Sequence, residues 1–164
     1  DDYWHRQDKL QMQVNAMMQN PTATIVHTDF DRRMGGRVFR NWNRRNRNPD
    51  LAQGEAFEML LRRMSVVTAT VMHKRAILID YVEAGADDRN WPFGDYQRAL
   101  YASLRGPVIY LPLSTATYRY VAGSVMNQGA RNLLTLQRAG LECREWFMAM
   151  CPCPEEFRRE VRRS

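Results

Sequence analysis

Asp1 and Asp2 stand side by side at the head of the sequence and are followed by Tyr3-Trp4. Adjacent carboxylates after a strand suit magnesium or manganese, because these hard ions take oxygen ligands and share their shell with substrate phosphates. Taken alone, such a dipeptide is more often a solvated end than a metal site. A third carboxylate, Asp95, opens a helical pattern, where it would stabilise free amides at the helix start. Just before it, Trp91 offers an aromatic face of the kind that stacks on sugar rings, beside Asp87, Asp88 and Arg89. A core tryptophan is the competing reading. His5, His27 and His73 show no mutual spacing for a metal, and none neighbours a cysteine or a serine nucleophile, so they read as structural or exposed. Cys143, Cys151 and Cys153 are odd in number, and Cys-Pro-Cys lacks zinc-site spacing, which points to reduced thiols in a cytosolic protein.

The elements that must position these residues are legible in outline. Residues 8–20 place Leu10, Val14, Met17 and Met18 at helical spacing, which predicts an amphipathic helix with that face inward. The β-branched run Thr24-Ile25-Val26-His27-Thr28 predicts a buried strand ending at Asp29, and Gly35-Gly36 a turn into Arg37-Val38-Phe39. Residues 41–54 have no period and read as a surface loop. A helix follows over 54–63 with Phe57, Leu60 and Leu61 inward, then a strand over 66–72. Residues 74–84 predict a helix closed by Gly85 in a left-handed cap. After an irregular stretch around Trp91-Pro92 come a helix over 95–104, a strand over 108–111, a second strand over 114–120, and one long helix over 124–150 that Gly140 could break. Alternating strands and helices indicate an α/β sandwich with helices covering a mixed sheet.

The 164 residues suit one domain able to bury roughly 70% of its unfolded surface. No run of eighteen apolar residues and no leader pattern is present, so nothing in the chain is expected to span a membrane or direct secretion. The formal charge is +6. Only Lys9 and Lys74 are lysines; every other cation is arginine, a permanent charge that pairs bidentately with phosphates and carboxylates. Two clusters stand out: Arg37 to Arg47, with Arg40, Arg44 and Arg45 around Trp42, and the tail Arg158-Arg159 with Arg162-Arg163. Such clusters serve as contacts to nucleic acid or an anionic membrane, or simply as solvated faces. Glu155, Glu156 and Glu160 can pair with the tail locally.

Taken in order, Asp1-Asp2-Tyr3-Trp4 with Asp8-Lys9-Leu10, then Gly94-Asp95-Tyr96, Tyr110-Leu111-Pro112-Leu113 and Tyr118-Arg119-Tyr120-Val121-Ala122-Gly123-Ser124, resemble the second half of a family-two glycosyltransferase. The resemblance implies an inverting, metal-dependent transferase of the GT-A type that moves a sugar from a nucleoside diphosphate to an acceptor hydroxyl, as in polysaccharide biosynthesis. Residues 1–127 would be the acceptor-side portion of the catalytic domain, and residues 128–164 a helical extension of it. Asp2, with Asp1, would hold magnesium or manganese, and one of the pair would lie beside the ribose. Asp95 would be the general base, while Trp91 would contact the acceptor and Tyr118 and Arg119 the diphosphate. The pattern is broken at Gly94, where the family often has glutamate, and at Val121, where it usually has histidine.

Further expectations follow from the resemblance. The partners would be the sugar nucleotide and a saccharide or lipid-linked acceptor, with no nucleic acid, and the setting cytoplasmic or at the inner face of the cell membrane. Strands that hold the nucleotide base would precede Asp1, so the chain alone is expected to be inactive, with exposed sheet edges that a homodimer or strand exchange would relieve. Two readings of other classes stand beside this one: a non-catalytic arginine-rich module that binds an anionic partner, and a degenerate transferase kept for its fold.

Overall fold

The computed structural model describes residues 2–49, 51–89, 91–121 and 130–163. In chain order the elements are β1 (Tyr3–Trp4), α1 (Lys9–Gln19), β2 (Ile25–Met34), β3 (Arg37–Phe39), α2 (Trp42–Arg45), α3 (Phe57–Arg62), a 3₁₀ turn (Thr68–Thr70), β4 (Met72–His73), α4 (Arg75–Glu83), α5 (Gly94–Ser103), β5 (Val108–Arg119), α6 (Ala130–Ala149) and α7 (Glu155–Arg163). The sheet runs β1-β5-β2-β3, with β4 also paired to β2. Only β2 and β5 are parallel. The result is an α/β arrangement, a mixed open sheet flanked by helices. Ile25 of β2 and Val108 of β5 share one apolar core with Leu60 of α3, Leu100 of α5, Phe147 of α6 and Val161 of α7. Among the described residues no helix is long and apolar enough to cross a membrane.

Several local signals act as read. Gly35 and Gly36 adopt φ of +52° and +81° and join β2 to β3 as a two-residue hairpin turn, a conformation that disfavours any side chain. Phe57, Leu60 and Leu61 are the buried face of α3. Gly85, at φ +62°, ends α4: its N–H donates to Val82 O and that of Ala86 to Tyr81 O, the pair of bonds that closes a Schellman motif. In the tail, Arg159 pairs with Glu155, Arg162 with Glu145 and Glu155, and Glu160 with Arg62 of α3.

Elsewhere the structure departs from expectation for identifiable reasons. The strand expected to stop at Asp29 is β2, which continues to Met34. Asp29 is fully buried there because its Oδ1 accepts the N–H of Phe30 (2.8 Å) and of Asn43 (2.9 Å), and its Oδ2 that of Arg44 (3.2 Å). This strand carboxylate thus supplies the cap that α2, a helix within the expected loop, lacks from its own residues. The two strands expected over 108–111 and 114–120 are one, β5, whose register against β2 slips on either side of Asp29, so the Pro112-Leu113 segment is absorbed as an irregularity. In place of the strand over 66–72 stand the 3₁₀ turn and two-residue β4. Thr70 Oγ1 donates to Val67 O (2.7 Å) and Gln13 Nε2 to Thr70 O (2.8 Å), so side chains occupy acceptors that a strand ladder would use. α6 passes Gly140 without a break; the start expected for it over 124–129 lies outside the described residues.

Helix α1 is turned relative to its apolar pattern. Leu10, Val14 and Met18 are 47%, 39% and 73% exposed, while Lys9, Gln13 and Ala16 are buried. Buried carbonyls explain the choice. Gln13 Nε2 donates to Val26 O (3.0 Å) as well as to Thr70 O, and Lys9 Nζ donates to Gln13 Oε1 (2.7 Å) while lying 4.3 Å over the Trp4 ring. Leaving those carbonyls dry would cost about 1–3 kcal/mol each.

Close backbone approach fixes the entry to β5. A Cβ at Gly106 would run into the carbonyl oxygen of Thr22 and lie 3.0 Å from Thr24 Cγ2. Backbone on one side and a bonded threonine on the other leave little room to yield, since Thr24 Oγ1 donates to Ala102 O (2.9 Å) and Gly106 O (3.0 Å). Gly106→Ala is expected to destabilise the fold by about 2 kcal/mol, read as a lowered urea midpoint at unchanged slope.

Candidate functional site

The short strand β1 adds to the edge of β5, pairing Tyr3 with Thr117 and Trp4 with Ala116. That register carries Asp2 to the end of β5, where its Oδ1 accepts the N–H of Arg119 at 2.9 Å. Two segments read separately in the sequence therefore meet at one sheet edge. Asp1 lies outside the described residues, as do Ala122, Gly123 and Ser124. The guanidinium of Arg119 is exposed and makes no ion pair among the described residues. Tyr118 is half-buried, its ring edge-on to Phe30 at 6.3 Å. His5 lies against the same strand, its ring nitrogens 3.2 Å from Thr117 Oγ1 and Ser114 O.

From β1 a line of hydrogen bonds leads to Asp95. Trp4 Nε1 donates to Ala69 O (2.8 Å) in the 3₁₀ turn; the adjacent Thr68 Oγ1 donates to Asp95 Oδ2 (2.5 Å), and the N–H of Tyr96 donates to Asp95 Oδ1 (2.9 Å). Asp95 is half-buried in the first turn of α5. It is not the cap: that position belongs to Phe93, whose side chain bonds no amide. The positive end of the helix dipole still favours a carboxylate in this first turn. Both carboxylate oxygens thus have donors that set their orientation.

The 3₁₀ turn is held from beneath by the Gln13 amide. Lys9, Gln13 and Thr68 are the positioning residues that sequence reasoning passed over; the Lys9/Gln13 spacing of four on one helix face was their available signal. Burial holds the Lys9 ammonium below its ordinary pKa. Gln13→Leu removes the donor to Val26 O and Thr70 O and the acceptor of Lys9. It is expected to lower stability by about 2–3 kcal/mol, whereas Gln11→Leu, on the exposed side of α1, changes it little. Urea unfolding of both variants checks this.

Trp91 stands apart from that line. It is half-buried against the core, edge-on to Trp146 of α6 at 6.0 Å, with Arg89 lying 4.7 Å over the Trp146 ring. Its exposed part lines a cleft of about 960 Å³ with Gly85, Asp88, Arg89, Glu142, Glu145 and Trp146. Asp87 lines a smaller neighbouring cleft with Trp91, Gly94 and Gln97. Packing and exposure are combined in this one side chain.

Among the described residues no group of three histidine, cysteine or acidic side chains gathers to cage a metal. Magnesium and manganese need no cage: one or two carboxylates plus substrate phosphates and water suffice. Asp2, at an exposed edge with one oxygen on the Arg119 amide, is a carboxylate of that kind. His27 is fully buried, bonds Ala52 O through Nε2 (2.7 Å) and is pushed down to about 4 by burial; His73 is likewise pushed down to about 4, by burial and then by the charge of Arg98. The cysteines are free, and burial raises Cys143 to about 12 and Cys153 to about 11, so neither is a poised nucleophile. No protein-family model matches the chain, and a search among curated proteins finds no match.

Proposed function

We propose that this chain is the acceptor-side half of a GT-A-type, inverting, metal-dependent glycosyltransferase that acts on a nucleoside-diphosphate sugar. The observation that carries the reading is the meeting of Asp2 with Arg119, 2.9 Å from carboxylate to amide across β1 and β5. The resemblance assigns these distant positions to one diphosphate, and nothing in their sequence separation required them to meet.

Each residue then has a chemical task. Asp2, with Asp1, would hold a divalent ion that neutralises charge on the departing diphosphate. Arg119, whose guanidinium makes no ion pair among the described residues, would meet the same phosphates, with Tyr118 beside it. Asp95 takes the proton of the acceptor hydroxyl as the sugar carbon gains oxocarbenium character and the diphosphate leaves from the opposite face. Thr68 and the Tyr96 amide hold its oxygens in place, and Trp91, which lines a separate cleft with Gly94, would contact the acceptor.

The test is manganese-dependent turnover of sugar nucleotides by the whole protein that contains this chain. Loss of transfer in Asp95→Asn, and weakened manganese dependence in Asp2→Asn, would support the assignment. Full activity in both variants would overturn it.

A further inference from the structure

We propose that the β2–β3 hairpin and α2 form a docking surface for an anionic lipid bilayer. Seven arginines fall between positions 32 and 47. Six of them, Arg33, Arg37, Arg40, Arg44, Arg45 and Arg47, are exposed, and none makes an ion pair among the described residues. The contrast with other parts of the molecule is plain: Arg6, Arg62, Arg105, Arg159 and Arg162 each meet a carboxylate. Two acids beside the cluster are already engaged. Asp29 is buried under the amides of α2, and Asp31 Oδ1 accepts the N–H of Asn41 (3.0 Å) and the hydroxyl of Ser114 (2.6 Å). Among the described residues the cluster is therefore a concentrated positive field with no ion pair at the surface.

Its apolar neighbours separate a bilayer from a nucleic acid. Val38 of β3 and Leu113 of β5 are 49% and 40% exposed, and the guanidinium of Arg44 reaches Pro112 O at 3.4 Å, which places α2 beside Leu113. Exposed aliphatic side chains among cations are what an interfacial site uses to enter the headgroup region. Single-stranded nucleic acid instead needs open aromatic faces on which bases stack. One face of each aromatic ring here is already covered or edged: Arg32 lies over both Trp42 (4.6 Å) and Tyr120 (5.1 Å), Phe39 is edge-on to Trp42 at 6.1 Å, and Arg45 lies over Phe39 at 5.8 Å.

The surface is continuous with the edge that carries Asp2. Arg33 is the register partner of Arg119 across β2 and β5, and the N–H of Tyr120 donates to Arg33 O at 2.9 Å. A docked chain would hold that edge near the headgroups, where a lipid-linked acceptor would reside. This consequence rests on the transferase reading; the docking itself does not.

The chain is sedimented with vesicles of phosphatidylcholine alone and of phosphatidylcholine mixed with phosphatidylglycerol, at low and at physiological salt. Binding is expected only to the anionic vesicles and should weaken with salt. Each neutralised arginine should weaken it about fivefold, so Arg40→Ala/Arg45→Ala should lose on the order of 25-fold. Val38→Ser should weaken it further, while Arg138→Ala on α6 should bind as the parent does. Circular dichroism and thermal unfolding identify any variant that has not folded, and Arg37→Ala/Arg47→Ala serves as the second double variant. Equal binding to both vesicle types, or full binding by both double variants, overturns the proposal. So does a single-stranded RNA that displaces the chain from vesicles and depends on the same arginines. Because no sugar nucleotide is present, failure here leaves the transferase reading intact, and failure of Asp95→Asn to affect transfer leaves this one intact.

Discussion

Asp95→Asn is expected to lower sugar transfer by the whole protein by about 10²–10⁴-fold, the range for loss of a positioned general base. The loss should appear in kcat with little change in KM for the donor, because Asp95 contacts Thr68 and the Tyr96 amide on the α5 side, not the edge that holds Asp2 and Arg119. Asparagine has one acceptor oxygen where the carboxylate has two, so one of the two donors facing it loses its partner. That should reduce stability by only about 1 kcal/mol, which thermal unfolding can separate from the catalytic effect. Thr68→Val supplies the graded control: it keeps the carboxylate and removes only its 2.5 Å donor, so it should impair transfer less than Asp95→Asn does. An Asp95→Asn protein that transfers at the parent rate eliminates Asp95 as the base. One that fails because it binds donor poorly moves Asp95 from the acceptor side to the donor side.

Acid should destabilise the fold well before its carboxylates titrate. Burial, with a smaller opposing contribution from the bond to Ala52 and the charge of Asp29, pushes His27 from its ordinary 6.5 down to about 4. A base whose folded pKa is depressed stays neutral when the unfolded chain binds a proton. Stability from this source is thus complete above pH 6.5 and is lost as pH falls from there toward 4. At about 1.36 kcal/mol per pH unit, His27 alone removes about 2 kcal/mol by pH 5. His73, depressed in the same direction over the same window, adds to the loss. Asp80, Glu145 and Glu160, held below their ordinary values by Tyr101 and Arg105, by Arg162 and by Arg62 respectively, act in the same sense but lower down, as pH falls through the carboxylate range. Urea unfolding at pH 7 and pH 5 separates the two windows. His27→Gln, able to donate to Ala52 O, should be less stable at pH 7 but show a shallower fall toward pH 5. A parent chain equally stable at both values would contradict the buried, neutral state of His27.

What was legible in the sequence is what a few neighbouring residues decide among themselves. Gly35-Gly36 and Gly85 announced their turns because positive φ is a property of the residue and its immediate backbone. Phe57, Leu60 and Leu61 announced the inner face of α3 by spacing alone, and the first part of β2 was announced by its β-branched run, though neither its full length nor its parallel pairing with β5 was. The tail acids and arginines foretold pairing, although Glu145 and Arg62, which take part in it, come from elsewhere in the chain.

Tertiary structure decided whatever depended on where a buried polar group could find a partner. The apolar pattern of α1 pointed Leu10, Val14 and Met18 inward, yet the helix turned Gln13 and Lys9 in, where the Gln13 amide pairs the buried carbonyls of Val26 and Thr70 that an apolar side chain would leave unbonded. Asp29 looked like the end of a strand and is instead its buried middle, since the amides of α2 come to meet it. The candidate site follows the same division. Asp2, Asp95 and Arg119 were named by residue type and order; that Asp2 touches Arg119, that Thr68 holds Asp95 and that Gln13 supports the turn between them was decided by strand pairing and hydrogen bonds spanning 27 to 117 positions, which no local pattern encodes.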